Sequence, residues 1–168
     1  VLGPPELLDE HGEAVSLSMG KPLALLIYVA LHPAPVSRDD LADLLWPEAD
    51  RQRGRHSVRQ ALWVLRTAVG EDLFESHDPL SLRPGALETD IVQFSDALAA
   101  GRVDEARGFW RGPVLEHFLL AGVRRWNQWT DETRTELELR FHRALLQHAD
   151  DLRSLGQADE AVSALNQA

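Results

Sequence analysis

Apolar residues recur along most of this chain at spacings of three and four positions, the period that buries one face of an α-helix. The pattern predicts three helices in the first half: one from Pro22 to about His32, one between Ser37 and Pro47, and one from Arg51 to Gly70. The first is apolar nearly all round, so we expect it to be the most buried. From Asp90 onward the pattern is helical to the end.

Alternation of apolar and polar residues, which is typical of strands, is confined to short segments. It occurs near the start of the chain, where residues 14–19 follow a turn-like stretch, and again on both sides of His77-Asp78-Pro79, where a hairpin is predicted. The fold class is therefore mainly α with small β-hairpins. The order is short strands, three helices, a hairpin and then helices only.

The second half contains a short internal repeat. The pattern G-x-x-D-E-A occurs at residues 101–106 and again at 156–161. Each copy falls where one amphipathic helix ends and another begins, as in proteins built from helical hairpins. This indicates a helical-repeat domain over residues 90–168.

Composition limits the class of protein. The chain has 168 residues, a net charge of −10 and no cysteine, which excludes disulfides and thiolate metal sites. No apolar run approaches the ~18 residues that a membrane span needs, and no signal peptide is evident. We therefore expect a cytoplasmic protein that does not bind membranes. Because the chain begins at Val1 and stops within a helical pattern, we expect it to be part of a longer protein.

One segment departs strongly from the acidic background. Residues 51–70 contain five arginines and no aspartate or glutamate. On a helical wheel the apolar side chains cluster within about 100°: they are Val58, Ala61, Leu62, Leu65 and Val69. Three arginines form a second stripe about a quarter-turn away: they are Arg55, Arg59 and Arg66.

A row of arginines with no neighbouring acid repels itself unless a polyanion binds it. A nucleic-acid duplex is such a partner, since arginine binds both guanine edges and phosphates. A helix that packs on two others and keeps one face free is typical of the recognition helix of a helix-turn-helix, with the following hairpin as a wing. Two alternatives remain open from the residues alone: a site for an acidic peptide or protein, and a face that is merely solvated.

Other chemistry finds little support in the sequence. The seven histidines lack metal-ligand spacing, and nucleotide-binding and hydrolase motifs are absent. Acidic pairs such as Asp39-Asp40 lie at helix starts, where the helix dipole favours them. Trp46 and Trp63 are expected to pack within the first domain, and Trp126 and Trp129 to anchor helix packing. Because Trp63 borders the arginine stripe, a sugar–phosphate contact is the less favoured alternative for it. We therefore predict no catalytic residues, no metal and no cofactor, and hence no enzyme.

The stretch SRDDLADLLWPEADRQRGRHSVRQALWVLRTAVGEDLF, residues 37–74, resembles the DNA-binding region of the Streptomyces antibiotic regulatory protein family. Its Leu-Trp-Pro helix stop and the order of residues from Arg55 to Gly70 carry the resemblance. DIVQF at 90–94 resembles the junction to the second domain of that family, and the later helices resemble its activator domain. The resemblance implies an OmpR/PhoB-type winged helix-turn-helix over residues 1–89. It also implies a tetratricopeptide-like bacterial transcriptional activator domain over 90–168, with further helices expected beyond.

The resulting hypothesis is a sequence-specific DNA-binding transcriptional regulator with helix 51–69 in the major groove of double-stranded DNA. The predicted DNA contacts are Arg51, Arg53, Arg55, His56, Arg59, Arg66 and Arg83. The helical domain would offer a surface for dimerisation or for contact with RNA polymerase or a further regulatory domain. The wing carries few cations, only His77 and Arg83 beside Asp78. The alternative is therefore a protein-interaction adaptor whose winged helix has lost DNA binding.

Overall fold

The computed structural model describes residues 1–70, 73–75 and 78–165, with side chains described up to residue 162. The described helices are α1 (Lys21–Leu31), α2 (Arg38–Leu45), α3 (Arg51–Val69), α4 (Asp90–Ala99), α5 (Val103–Phe109), α6 (Arg124–Ser154) and α7 (Ala158–Leu165). The predicted mainly helical class is confirmed. No helix in the described ranges is both long enough and apolar enough to cross a membrane.

Contacts along the chain divide it into two units. One contains Glu6–Thr89 and Phe118–Trp129, and the other contains Val1–Pro5, Asp90–His117 and Thr130–Ala168. The division therefore interleaves along the sequence and passes through α6, whereas the predicted domains 1–89 and 90–168 are each continuous. The boundary between functional domains stays a prediction.

In the first unit, α1, α2 and α3 pack on one another. The apolar helix α1 is buried at six of its eleven positions, in agreement with its pattern. Trp126 is fully buried, with its ring 5.0 Å from that of Trp129, which in turn lies 4.9 Å from Tyr28 of α1. The predicted packing role of this tryptophan pair is therefore confirmed within this unit.

Side chains cap the N-termini of α2 and α3. The Ser37 hydroxyl accepts the Asp40 backbone N–H at 3.0 Å, as the capping-box spacing predicts. The Asp50 carboxylate accepts the Arg53 backbone N–H at 2.9 Å and so begins α3. Gly70, with φ of 123°, follows the last residue of α3.

The hairpin after α3 is present but minimal. Phe74 and Leu82 form an antiparallel bridge, and Leu80 exchanges two backbone hydrogen bonds with Val36, the residue before α2's cap. The segment after α3 is thereby tied to the start of α2. The predicted turn residue His77 lies outside the described residues.

The strands predicted near the start of the chain are wrong as continuous elements. Residues 7–9 and 13–15 pair only through an isolated Leu8–Ala14 bridge, with a turn at Gly12. Leu2 and Gly3 instead bridge to Val114. The alternation at 14–19 finds no long partner strand in the described part of the chain, and an isolated short hairpin gains too little to extend.

The second unit is built from helices around an aromatic cluster. The rings of Phe94, Trp110 and Phe141 lie between 4.9 and 5.3 Å from one another, at tilted or edge-on angles that aromatic pairs prefer. Helices α4 and α5 pack together, with the first G-x-x-D-E-A turn at Gly101 (φ of 72°) between them. The second copy turns α6 into α7 at Gly156, also at positive φ.

Substitution of Gly54 tests how closely α2 and α3 pack. A Cβ at this position would lie 2.9 Å from the Cβ of Ala42, so one helix would have to shift. Helix propensity alone favours alanine by about 1 kcal/mol, yet we expect Gly54→Ala to lower the free energy of unfolding measured by urea denaturation. Gly108→Ala in α5, where a Cβ meets nothing, is the matched control and should not be destabilising.

Adding Ala42→Gly to Gly54→Ala should recover part of the loss, because the two methyl groups no longer compete for one space. A stabilised Gly54→Ala protein would contradict the close approach of these helices.

Candidate nucleic-acid interface

Helix α3 presents two different faces. Val58, Ala61, Leu62 and Leu65 are buried, as the wheel predicts. The remaining positions carry exposed polar and charged side chains: Arg51, Gln52, Arg53, Arg55, His56, Arg59 and Gln60. We call these residues, together with Trp63 and Thr67, the exposed face of α3.

The expectation that no acid neutralises the arginines is wrong for three of the five, since Arg51 and Arg55 pair with Asp39 and Arg53 pairs with Asp50. Arg55 Nη2 lies 2.9 Å from Asp39 Oδ2, and Arg51 Nη2 lies 3.1 Å from the same oxygen. Asp39 belongs to α2 and is 16 residues before Arg55, so the packing of α2 on α3 brings them together. The acid comes from the same three-helix unit and not from the second one.

These pairs shift the pKa values of the groups involved, in opposite directions for the acid and the base. The hydrogen bond from Arg55 is the main cause that lowers the pKa of Asp39, and Arg51 adds to it, against partial burial. The same hydrogen bond raises the pKa of Arg55. One carboxylate thus serves two guanidinium groups, and the pair of arginines keeps a net positive charge.

Arg53 and Arg59 are more open. Arg53 is 84% exposed and pairs only loosely, at 3.4 Å, with the capping carboxylate of Asp50. Arg59 has no carboxylate partner in the described part of the chain. Its Nη2 donates instead to Nδ1 of His56 at 2.9 Å, since a guanidinium has no acceptor. Exposed pairs of this kind contribute about 0–1 kcal/mol and exchange readily.

The two remaining arginines among the predicted contact residues differ in exposure. Arg66 is half-buried, with its Nε out of contact with solvent, so the arginine stripe is not uniformly exposed. Arg83 is exposed on the hairpin and donates from Nε to the Phe74 carbonyl at 3.3 Å. The role of all seven predicted residues in binding DNA stays a prediction.

The two tryptophans on α3 and at the end of α2 behave differently. Trp46 is half-buried beside α1, with the Lys21 ammonium 5.3 Å from its ring centre. Trp63 is 67% exposed, so the expectation that it packs in the core is wrong. The wheel places Trp63 beyond the arginine stripe, away from the apolar one, and this position is the signal that could have excluded a place in the core.

No metal site accompanies this face. Within the described ranges, no group of three or more histidine, aspartate or glutamate side chains is arranged to hold a metal ion.

The second half of the chain matches a known family. Residues 86–168 match the family model described as Bacterial transcriptional activator domain. The class of protein that this match indicates is a bacterial transcription regulator and not an enzyme. It supports the family that the sequence resembles, and it covers the part predicted as the activator domain.

A solved structure with a similar fold is that of Mycobacterium tuberculosis EmbR in complex with a low affinity phosphopeptide. The TM-score is 0.66 at 23% sequence identity, over 98% of this chain and 48% of that chain. The chain therefore spans about half the length of the EmbR chain. At this identity the similarity establishes the fold. No curated protein sequence matches the chain significantly.

The ion pairs of Asp39 can be tested by titration of its carboxyl group. Arg55→Ala removes the main hydrogen bond to Asp39, so the Asp39 pKa should rise toward its usual value when followed by NMR. Because the folded-state pKa is lowered, the pairing stabilises the protein above the ordinary carboxyl range. That stabilisation is lost as pH falls through the lowered pKa.

Arg53→Ala is the control, because Arg53 pairs with Asp50 and not with Asp39. An Asp39 titration that is the same in wild type and Arg55→Ala would show that the pair does not form in solution.

Proposed function

We propose that the chain is part of a sequence-specific DNA-binding transcription regulator in which α3 enters the major groove of a duplex. The observation that carries the proposal is the exposed face of α3, which bears four exposed arginines and a histidine but no acidic side chain of its own. Such a surface attracts phosphates and can donate to guanine edges.

The surrounding elements support the interpretation of this unit as a winged helix-turn-helix. Helix α2 precedes α3 and packs on it, as the first helix of the motif does. The hairpin after α3 is tied by backbone hydrogen bonds to the start of α2, a position from which a wing could reach the backbone of DNA.

The predicted contact residues take different roles in this proposal. Arg55, His56 and Arg59 face bases or phosphates from the middle of the exposed face. Arg51 and Arg53, near the start of α3, contact the DNA backbone. Arg66 and Arg83 contribute at the edges.

The helical domain would serve as a partner surface. Leu139 and Leu146 lie seven residues apart on α6 and are exposed at 50% and 58%. Side chains seven apart share a helix face, so these leucines form an apolar strip. We propose that this domain contacts RNA polymerase, a second copy or a further regulatory domain, and that the protein acts in the cytoplasm. Its tetratricopeptide-like character is part of the same proposal.

Asp39 and the leucine strip favour a second candidate, a protein-interaction adaptor that does not bind DNA. Asp39 neutralises part of the cationic face, and the overall charge is −10. This candidate predicts that the full chain binds purified RNA polymerase but shifts no duplex at low salt.

A gel-shift titration separates the two candidates. At about 50 mM salt the wild type should shift duplexes selected from a random pool. Arg53→Ala with Arg59→Ala should weaken binding sharply and reduce the salt slope by about 1, because the phosphate contacted by Arg53 is no longer neutralised. The matched control is Arg102→Ala with Arg153→Ala, which removes equal charge from exposed, paired arginines of the other unit. A wild type that shifts no duplex at low salt would refute DNA binding.

The carboxylate on α2 gives a prediction of opposite sign. Asp39→Asn should strengthen binding to duplex DNA and steepen its salt dependence. Without the carboxylate, Arg51 and Arg55 can bind phosphates and have no ion pair with Asp39 to break first. The control is Asp43→Asn, an exposed aspartate on the same helix. Equal gains from both variants, measured by fluorescence anisotropy, would mean that only total charge matters and that the specific pairs do not.

A further inference from the structure

Trp63 is an unusual residue for the surface it occupies. Its side chain is 67% exposed, and among the described residues it is the one aromatic side chain in the set of exposed large hydrophobics. Its backbone carbonyl accepts the Thr67 hydroxyl at 2.9 Å within the helix. A large apolar side chain left in water gains free energy when a partner covers it.

The neighbours of Trp63 indicate what kind of partner this is. Residues three and four positions away share its side of the helix. On the N-terminal side these are Gln60 and Arg59, with His56 one further turn away, and all three are exposed. On the C-terminal side lies Thr67, which is also exposed. An indole set among cationic and neutral polar groups fits an anionic partner with an apolar group better than it fits an apolar protein surface.

We propose that Trp63 is a specificity-determining residue that contacts the 5-methyl group of a thymine in the major groove. The thymine methyl is the one apolar group that base pairs display in that groove, and apolar side chains read it. The inference rests on the proposed function, since it assumes that α3 enters the groove. It adds a base preference that the arginines alone do not supply.

The spacing on α3 sets where that thymine lies. Arg59 precedes Trp63 by four residues, a rise of about 6 Å along the helix. Base pairs rise about 3.4 Å each. Arginine donates most specifically to guanine. With α3 lying along the groove, the guanine read by Arg59 and the thymine read by Trp63 are about two base pairs apart.

Selection of duplexes from a random pool with the wild-type chain tests this first. The selected sites should contain a guanine and a thymine within about two base pairs of each other. Replacing that thymine by deoxyuridine, which lacks only the methyl group, should weaken wild-type binding about fourfold, the value of one buried methyl group. The same replacement should leave the affinity of Trp63→Ala unchanged, and Trp63→Phe should retain part of the discrimination.

Controls separate this inference from the proposed function. Met19→Ala, which also removes an exposed apolar side chain in the same unit, should bind like wild type. Circular dichroism should show equal folding of all variants, because Trp63 contributes little to the core.

A wild type that binds no duplex overturns the proposed function. A wild type that binds through Arg59, with thymine and deoxyuridine equivalent and Trp63→Ala unaltered, overturns the inference alone. A change of oligomeric state in Trp63→Ala without loss of discrimination does the same.

Discussion

The close approach of α2 to α3 is the constraint on which the rest of the candidate site depends. Gly54 lies against the methyl group of Ala42, and a Cβ at Gly54 would be only 2.9 Å from it. This distance allows Asp39, at the start of α2, to reach the guanidinium groups of α3. The packing contact and the charge arrangement are therefore two consequences of one small residue.

The Asp39 pairs give the cationic face a defined geometry without removing its charge. A free arginine loses side-chain entropy when it binds a partner, up to about 2 kcal/mol. The carboxylate of Asp39 holds Arg55 in place, so part of that entropy is already lost in the unbound protein. The same carboxylate opposes weak, unspecific attraction to any polyanion.

Two different segments of the chain support the proposed regulator. The family match concerns residues 86–168, the helical part with the aromatic cluster and the exposed leucines of α6. The features that suggest DNA binding lie on α3, outside that match. The family match supports the proposed regulation of transcription, whereas the proposed contact with DNA rests on the chemistry of one helix face.

The sequence alone determined the local elements, because their causes are local. The helix periods, the Ser37 cap, the Gly70 stop and the proline after Leu45-Trp46 all act within a few residues, and α1 to α3 form where they predict. Four of the five residues of the apolar stripe of α3 are likewise buried, and Val69 at its end is half-buried. The predicted strands are too long, because a strand depends on a partner segment that periodicity does not reveal.

What only the tertiary structure decided is which side chains meet. The sequence marks Asp39 as a helix-dipole residue, and nothing in its spacing from Arg55 along the chain indicates that the two would pair. The half-burial of Arg66 and the exposure of Trp63 also depend on what packs beside α3. Electrostatic partners are set by distance in space, and the angle and closeness of two packed helices follow from all the side chains between them.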